Sequence, residues 1–546
     1  MRVSRAWYHP APMPLPRGGR GLALVVFSAL TIVHTWPLIT APGRLSRNDH
    51  PDTLLNEWTI AWVAHEAPRA PWHLYDANIF YPDRDTLAYS EHLTVPAAIG
   101  APLFWAGASP VLAYNLVLLA GFALTGWATS VLIWKWTGDW PAGIIAGVVL
   151  AFNAHNFTRL PHLQAQHVEF LPLVLLAFDD LLREPSLRAA LRLAGWFTLQ
   201  SLVSVYLMVF TIVGLAAGAI ARAEDWWGAR ARRLAPYLAA AAAIAIAATV
   251  PFLVPYWRLG LVRPLDEVAL YSARWRDYLA TPARAHYSTW SAHFFGGTAL
   301  FPGFTGLALA IVAIMHGVAL RDRRARMVLA AGMAGVALSF GPQLPGYATL
   351  YRWLPLLQGV RAAARFGYLA IVATAVLAGF GVATLRARYR GARWLPAATF
   401  GLFVLANADG FCAPIPYTDA EPVLPVYNRL RRAADAVVVE FPFYPPDRTY
   451  HNAPYLFNAT RHWRPLVNGY SGLVPASYVT HYEQLRGFPD GRSIDALRSL
   501  GVTHVVVHDR ELRKWNGEAA ADAVGRTREL LAVESDGDVT LYRLRP

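Results

Sequence analysis

The chain has 546 residues, of which 55% are hydrophobic and only 16% are charged. In soluble proteins roughly a quarter of the residues are charged, so this composition excludes an ordinary soluble enzyme. The net charge of +13 does not indicate a nucleic-acid-binding protein, because the arginines lie in short clusters between apolar runs. Membrane topology accounts for such clusters. We therefore expect membrane lipids, and no nucleic acid, among the partners.

The apolar character is confined to one part of the chain. Long apolar runs alternate with short arginine-rich breaks up to Cys412, whereas the rest has the composition of a soluble domain. The sequence thus predicts a transmembrane body over residues 1–412, with a long outer loop over residues 41–93, and a soluble domain over residues 413–546. The basic charge is almost wholly arginine, a bias of GC-rich bacterial genomes, so we expect a multi-pass protein of the bacterial cytoplasmic (inner) membrane.

Eleven segments are candidates for transmembrane helices, because about 20 apolar residues span roughly 30 Å of hydrocarbon. They lie near residues 22–40, 109–134, 139–154, 163–182, 190–206, 207–221, 234–256, 299–320, 327–342, 365–385 and 394–411. The stretch 190–221 is divided near Tyr206 so that the arginine clusters on both sides of it lie in the cytoplasm. The predicted fold is a mainly α-helical, polytopic bundle of about eleven helices with an extracytoplasmic C-terminal domain.

The C-terminal domain is predicted to be a small α/β fold. Residues 436–440 and 503–507 are β-branched runs of strand length, and residues 539–543 form a weaker third run. Residues 518–531 are typical of a helix that precedes the last strand.

The first outer loop carries the strongest local signal for chemistry. Asp49 and Asp52 are three residues apart, so a helical turn would place both carboxylates on one face. A carboxylate pair at a membrane surface can serve as a general base or bind a metal ion. Composition alone favours the alternative, a solvated acidic loop.

Six short segments, spread across most of the chain, share a pattern with one known group of membrane proteins. They are Asp52–Trp62, Ile79–Pro82, Leu87–His92, Leu160–Gln164, Gly359–Phe366 and Asn468–Gly472. With the first helix, the long acidic outer loop, the many further helices and the terminal soluble domain, they resemble the GT-C superfamily of membrane glycosyltransferases. The resemblance is closest to the YfhO-like and related uncharacterised bacterial members.

The resemblance implies an inverting glycosyltransferase, a hexosyltransferase, that moves a sugar from a polyprenyl-phosphate-linked donor to an acceptor on the extracytoplasmic face. The early acid of the outer loop would be the general base, a role that falls on Asp52, with Asp49 as the alternative. A familiar version of the motif has glycine before its acid, whereas Asn48 precedes Asp49 here, so both assignments stay open. The cofactor is unspecified: a divalent metal is compatible with this chemistry, but the sequence does not require one.

The departing lipid phosphate needs cationic or hydrogen-bonding partners. Arg361 and Arg365 are four residues apart at the outer mouth of a predicted helix, and arginine binds phosphate bidentately. The alternative is that both side chains extend to the membrane interface, which is common for arginine at helix ends.

Four further residues are candidates for substrate contact on the same outer side. His162 and Gln164 begin another predicted helix, where hydrogen bonding to the helix end is the alternative. Glu91 and His92 end the first outer loop and could line the same cavity. The histidine spacing fits no standard zinc pattern, so no metal site is predicted.

Two other classes of protein stay open. A transporter or lipid flippase would place ionisable residues at mid-membrane and often shows repeat symmetry. Here the acidic residues cluster in the outer loops, and the sequence shows no internal repeat. The third class is a non-catalytic membrane scaffold that presents the C-terminal domain, and the sequence does not exclude it.

Overall fold

The computed structural model describes residues 19–260 and 262–546, which form two compact units. The helical unit consists of residues 19–41 and Leu116–Pro416, and the mixed unit consists of Pro42–Asn115 and Tyr417–Pro546. Residues of the first outer loop therefore fold in one unit with the C-terminal segment, although the sequence analysis placed them in the membrane body. Composition did not reveal this pairing, because it joins two segments far apart in the chain.

The helical unit consists of α-helices whose starts are set by local capping. Asp139, Ser186, Ser204 and Asp322 each accept a backbone N–H from the first turn of the helix that follows, which satisfies donors that a helix start leaves unpaired. The helices are Gly19–His34, Pro110–Thr137 (in this unit from Leu116), Trp140–Ala151, Ala154–Thr158, Phe170–Arg183, Leu187–Val203, Val205–Ala221, Ala223–Trp226, Ala229–Leu259, Leu265–Leu270, Arg284–Tyr287, Phe304–Met315, Val318–Arg321, Arg323–Ser339, Tyr347–Trp353, Pro355–Gln358, Tyr368–Arg388 and Leu395–Asp409.

Each predicted transmembrane segment overlaps at least one of these helices, and the mainly α-helical class is confirmed. The break expected near Tyr206 lies at Ser204, between Leu187–Val203 and Val205–Ala221. The Ser204 hydroxyl accepts the N–H of Leu207, so the second helix has a capped start of its own.

The predicted count of about eleven transmembrane helices is corrected. Among the described residues, three helices are long and apolar enough to cross a membrane: Pro110–Thr137, Ala229–Leu259 and Ala363–Arg388. Other predicted segments are only partly helical. The segment 163–182, for example, becomes α-helical only at Phe170, because the residues before it form a polar loop. The shorter apolar helices are Gly19–His34, Thr94–Trp105, Val205–Ala221, Phe304–Met315 and Leu395–Asp409.

The helix Ala229–Leu259 presents an apolar surface to its surroundings. Only 17% of its most apolar 18-residue stretch is buried within the protein, and Ile244, Ile246 and Val250 are exposed. An exposed apolar face of this length is suited to lipid hydrocarbon rather than water. The exposed surface of this helix therefore has the character of a membrane-spanning segment.

A buried ion-pair network joins several helices of the helical unit. Asp179 and Arg222 are fully buried, with Asp179 Oδ1 2.8 Å from Arg222 Nη1. Arg222 Nη2 also lies 2.7 Å from Asp225 Oδ2, and Arg324 Nε lies 2.9 Å from Asp179 Oδ2. Arg222 and Arg324 belong to the short arginine clusters between apolar runs, and the structure makes them partners in an interior network. The carboxylates need both arginines, because a buried charge is tolerated only when it is paired.

We expect Asp179→Asn to destabilise the protein strongly, because Arg222 and Arg324 would lose their shared counter-charge. Removing one partner of a buried ion pair typically costs about 3–5 kcal/mol. The matched control is Asp180→Asn, at a side chain that is 33% exposed and pairs with the half-exposed Arg192; it should cost less than about 1 kcal/mol. Unfolding of the detergent-purified proteins measures both losses. Equal losses at the two neighbouring positions would contradict the account.

The mixed unit combines helices with two β-sheets. Its helices are Pro51–Glu66, Thr94–Trp105, Tyr427–Arg432, Ala453–Ala459, Ala476–Leu485, Gly491–Ser499, Asp509–Asn516 and Glu518–Val524. Its strands are β1 (Leu45–Ser46), β2 (Thr418–Asp419), β3 (Val438–Phe441), β4 (His504–His508), β5 (Leu530–Asp536) and β6 (Val539–Leu544). The strands β1 and β2 pair antiparallel, and the other four have the order β3-β4-β6-β5, with only β3 and β4 parallel.

The small C-terminal α/β fold is thus confirmed, with one correction. The three predicted strands correspond to β3, β4 and β6, but the predicted helix over 518–531 ends at Val524 and its last two residues begin β5. The missed signal is the run Asp536-Gly537-Asp538. Gly537 has φ +60°, the left-handed conformation that a tight hairpin turn requires, and the turn pairs β5 with β6.

The sheet of the mixed unit continues through segments that are too irregular to count as strands. Residues 465–468 run beside β3, where the Val438 N–H donates to Pro465 O at 2.9 Å. On the other side of this segment, the Phe80 N–H donates to Asn468 O at 3.1 Å. The structure therefore brings together two of the segments that carried the family resemblance, one from the first outer loop and one from the C-terminal chain.

Candidate functional site

Asp52 lies at the start of the helix Pro51–Glu66, in the mixed unit. His50 caps this helix, since its Nδ1 accepts the Asp52 N–H at 3.2 Å. The same Nδ1 lies 3.9 Å from Asp52 Oδ2, but a ring nitrogen that accepts a hydrogen bond carries no proton, so we do not count this contact as an ion pair. The helix N-terminus itself favours a negative charge at Asp52.

The Asp52 carboxylate is held by a residue from the C-terminal chain. The Tyr470 hydroxyl donates to Asp52 Oδ1 at 2.5 Å. Tyr470 is placed by the tight packing of its loop, in which a Cβ on Gly469 would come within 2.5 Å of the Phe80 ring. Only glycine therefore fits at position 469, and Tyr470 reaches Asp52, whose side chain is 25% exposed.

Asp49 has a different environment. The Arg47 guanidinium donates from Nε to Asp49 Oδ1 at 2.9 Å and from Nη2 to Oδ2 at 3.1 Å. Both carboxylate oxygens are thus engaged by one arginine two residues away. The bidentate contact occupies both oxygens that could take a proton from an acceptor hydroxyl. The geometry favours Asp52 over Asp49 as a candidate base.

Glu57, one and a half turns beyond Asp52 on the same helix, is fully buried. The Ser46 hydroxyl donates to Glu57 Oε1 at 3.0 Å, while Oε2 has no hydrogen-bond partner. Burial raises the pKa of Glu57 to about 8, against smaller opposing effects of the hydrogen bonds with Ser46 and Asn48. Glu57 is therefore a neutral acid at pH 7.

We expect the stability gap between wild type and Glu57→Gln to widen as pH rises. The unfolded glutamate ionises near its ordinary pKa of 4.5, whereas the folded one holds its proton to about 8, so the wild type loses stability across this window. Glutamine mimics the neutral acid and does not titrate. Thermal unfolding should give similar stabilities near pH 5 and a more stable variant near pH 8. Glu483→Gln, at an exposed position, is the control; a constant gap between wild type and Glu57→Gln would refute the assignment.

Glu91 and His92, the other two candidates from the first outer loop, also lie in the mixed unit. His92 is buried, and its Nδ1 lies 2.8 Å from Thr94 Oγ1 at the start of the helix Thr94–Trp105. Burial lowers the pKa of His92 to about 4, so the ring is neutral. Burial raises the pKa of Tyr75, and the nearby negative charge of Glu91 adds a smaller effect in the same direction. Substrate contact by Glu91 and His92 stays a prediction.

A second candidate site lies in the helical unit, in the polar loop between Trp140–Ala151 and Phe170–Arg183. The buried Gln166 fixes this loop, since its Nε2 donates to the carbonyls of Asn156 and Arg159 at 3.1 and 3.0 Å. The buried Asn156 in turn donates from Nδ2 to Ala151 O at 3.0 Å. These amides replace the backbone partners that a helix would supply, which an apolar body requires.

The loop forms one wall of a cavity of about 430 Å³, including its mouth. The lining residues are His155, Arg159, His162, Gln164, Ala165, Val168, Ser204, Tyr206, Leu207, Phe210, Arg365 and Tyr368. Three of the predicted substrate-binding residues, His162, Gln164 and Arg365, are therefore brought together.

The cavity has a cationic character and carries no acidic side chain in its lining. The Arg365 guanidinium stacks on the Tyr206 ring, 4.8 Å from its centroid, and Arg365 Nε is buried without a hydrogen-bond partner. Burial, with the positive charges of Arg159 and Arg365, holds the pKa of His155 well below its ordinary value, so this ring is neutral. A half-buried arginine with one buried, unpaired nitrogen, in a cavity that a second arginine also lines, is suited to an anionic ligand.

Arg361, the fourth predicted residue of this group, does not line the cavity. Its guanidinium lies 5.0 Å from the centre of the Tyr271 ring and 4.0 Å from Glu267 Oε1. The helix expected to place Arg361 and Arg365 on one face begins with the 3-10 turn Ala363–Gly367, which contains Arg365 but not Arg361, so their spacing of four residues does not align them. Arg361 contacts the cavity lining through its backbone N–H, which donates to the hydroxyl of the lining residue Tyr206 at 3.0 Å.

Sequence reasoning missed three residues of these sites. Arg159 and Tyr206 of the cavity and Tyr470 of the acid site were not singled out individually. For Arg159, the available signal was a polar run in the middle of an apolar body, which must either hydrogen-bond internally or line a cavity. No sequence signal connects Tyr206 or Tyr470 to its site, because each depends on a long-range contact. In residues 19–260 and 262–546, no group of three or more His, Cys, Asp or Glu side chains is arranged to hold a metal ion.

No protein-family model and no curated protein matches the chain in sequence, but solved structures match it in fold. The arabinofuranosyltransferase AftD from mycobacteria aligns over 99% of this chain and 40% of its own, with a TM-score of 0.64 and 17% identity. An oligosaccharyltransferase from Archaeoglobus fulgidus aligns over 96% of this chain and 73% of its own, with a TM-score of 0.52 and 14% identity. AglB from that archaeon, in complex with an inhibitory peptide and a dolichol-phosphate, aligns over 97% of this chain and 74% of its own, with a TM-score of 0.51 and 14% identity.

These matches show that the chain shares its fold with an arabinofuranosyltransferase and with oligosaccharyltransferases of known structure. The affinity to YfhO-like members stays a prediction, since none of these structures is one. The chain spans 40% of the length of AftD, so the activity of the whole AftD protein is not carried over with the fold.

Proposed function

We propose that the protein is a membrane glycosyltransferase that takes its sugar from a polyprenyl-phosphate-linked donor. The observation that carries the proposal is the cavity of the helical unit, in which Arg159 and Arg365 lie beside apolar residues such as Leu207 and Phe210. A phosphate group attached to an isoprenoid chain combines these two characters. AglB, which shares the fold, was solved with a dolichol-phosphate, a ligand of this class.

The reaction requires a base and a phosphate site. In an inverting transfer, the acceptor hydroxyl attacks the anomeric carbon of the donor sugar as a base removes its proton, and the lipid phosphate departs with the bonding electrons. Asp52 is the base in this proposal, and Arg365, with Arg159, stabilises the departing phosphate. The side chains of His155 and His162 and the amide of Gln164 provide further polar groups in the cavity.

The finer assignments rest on the sequence. The extracytoplasmic position of the C-terminal domain and the bacterial inner membrane follow from the arginine clusters and composition. The sequence resemblance implied a hexose donor, whereas AftD is named for arabinofuranose. The assay should therefore begin with polyprenyl-phosphoryl arabinofuranose and a polyprenyl-phosphoryl hexose.

We expect Asp52→Asn to abolish most turnover, because asparagine preserves the size of the side chain but accepts no proton. Loss of a general base typically lowers the rate by about 10²–10⁴. Asp49→Asn is the matched control, with the same chemical change three residues away, and should lose far less. Release of polyprenyl phosphate from the two donors measures turnover. If Asp49→Asn is inactive and Asp52→Asn is active, Asp49 is the base instead. If the wild-type protein releases polyprenyl phosphate from neither donor, the proposal is contradicted.

We expect Arg365→Gln to weaken polyprenyl-phosphate binding about tenfold or more, because a hydrogen bond to a charged group contributes about 1.5–3 kcal/mol. Arg361→Gln should have a much smaller effect, since its guanidinium contacts Tyr271 and Glu267. Binding of undecaprenyl phosphate to the detergent-purified proteins measures both changes. Equal affinities of the wild type and Arg365→Gln would exclude this cavity as the phosphate site.

A further inference from the structure

The hydrogen bond from Tyr470 to Asp52 joins two segments that are more than 400 residues apart. The Tyr470 hydroxyl donates to Asp52 Oδ1 at 2.5 Å over a sequence separation of 418 residues. Asp52 belongs to the first outer loop and Tyr470 to the C-terminal chain, and both lie in the mixed unit. A hydrogen bond from a phenol to a carboxylate is strong and directional. It fixes the direction in which the remaining lone pairs of the carboxylate point.

The loop that carries Tyr470 is itself held by buried amides. The side chain of Asn468 binds both backbone groups of Glu440 on β3: Glu440 N–H donates to Asn468 Oδ1 at 2.7 Å, and Asn468 Nδ2 donates to Glu440 O at 2.9 Å. Asn452 Nδ2 donates to Gly469 O at 3.0 Å. Asn452 and Asn468 are fully buried. The backbone on the N-terminal side of Tyr470 is thereby fixed to the sheet.

The strand end that anchors this loop is stabilised by a second buried group. The Glu440 side chain is fully buried, and its Oε2 lies 2.7 Å from both the Tyr427 hydroxyl and His508 Nε2. These contacts hold the ends of the parallel strands β3 and β4 in place. The polar network thus runs from the sheet to Tyr470 and ends at Asp52, with no solvated loop between.

We propose that Tyr470 is a positioning residue for the catalytic carboxylate, and that the C-terminal chain thereby completes the active site. The inference rests on the proposed function, in which Asp52 is the base. Tyr470 would not touch the acceptor; it would hold the Asp52 carboxylate in the one orientation in which it takes the proton of the acceptor hydroxyl. A base held in a productive geometry accelerates the chemical step, and a misplacement of about 1 Å lowers it.

The test compares Tyr470→Phe with Tyr450→Phe in the full-length protein. Phenylalanine keeps the ring of Tyr470 and removes only the hydroxyl. The control removes a hydroxyl in the same unit from Tyr450, which is 40% exposed and packs its ring against His451. With polyprenyl-phosphoryl arabinofuranose or hexose as donor, Tyr470→Phe should lower kcat about tenfold or more and leave the donor KM unchanged, whereas Tyr450→Phe should match the wild type.

The double variant Asp52→Asn/Tyr470→Phe separates positioning from a general structural role. If Tyr470 acts through Asp52, the double variant should turn over no more slowly than Asp52→Asn alone, because the group being positioned is already lost. Additive losses, or a normal kcat in Tyr470→Phe while Asp52→Asn is inactive, would overturn the inference and leave the proposed base intact. Normal turnover by Asp52→Asn would instead overturn the proposed base, and the inference with it.

Discussion

The architecture depends on satisfying backbone groups where the chain leaves regular structure in apolar surroundings. Unpaired N–H and C=O groups are costly there, and side-chain amides supply the partners at both candidate sites. Gln166 donates hydrogen bonds to the carbonyls of Asn156 and Arg159 beside the cavity. Asn468 hydrogen-bonds with the backbone N–H and C=O of Glu440 beside the acid site. Each amide allows an irregular segment to be rigid, and each segment carries residues of a candidate site.

The charged groups of the interior divide into those that stabilise the fold and those that remain available to a ligand. Asp179, Arg222 and Arg324 satisfy one another within the helical unit. Arg365, by contrast, packs on the Tyr206 ring with its Nε unpaired, in a cavity whose lining has no carboxylate. A buried donor left without a partner costs stability, and an anionic ligand that pairs with Arg365 Nε gains affinity by removing this cost. This contrast is the physical basis for placing the lipid phosphate in the cavity.

The sequence predicted the helices and strands better than it predicted which residues contact one another. Hydrophobic runs located a helix in every predicted span, and the β-branched runs located β3 and β4, because both patterns are local. In the part of the chain that the structure describes, three helices are long and apolar enough to cross a membrane, whereas the sequence predicted eleven. Polar loops, such as the one before Phe170, interrupt some of the predicted apolar segments. Arg365 was predicted and lines the cavity, whereas Arg361 was predicted on a helical spacing that does not exist there. Tyr206 and Tyr470 depend on long-range packing, for which a single sequence carries no signal.

The central claim is that the cavity beside Arg365 receives the phosphate of a polyprenyl phosphate. A cryo-electron-microscopy structure of the full-length protein with undecaprenyl phosphate tests this most directly. We predict density for the phosphate within hydrogen-bonding distance of the Arg365 guanidinium, about 3 Å, with the first isoprenoid units along Leu207 and Phe210. Phosphate density at another position, with the cavity unoccupied at saturating lipid, would contradict the account.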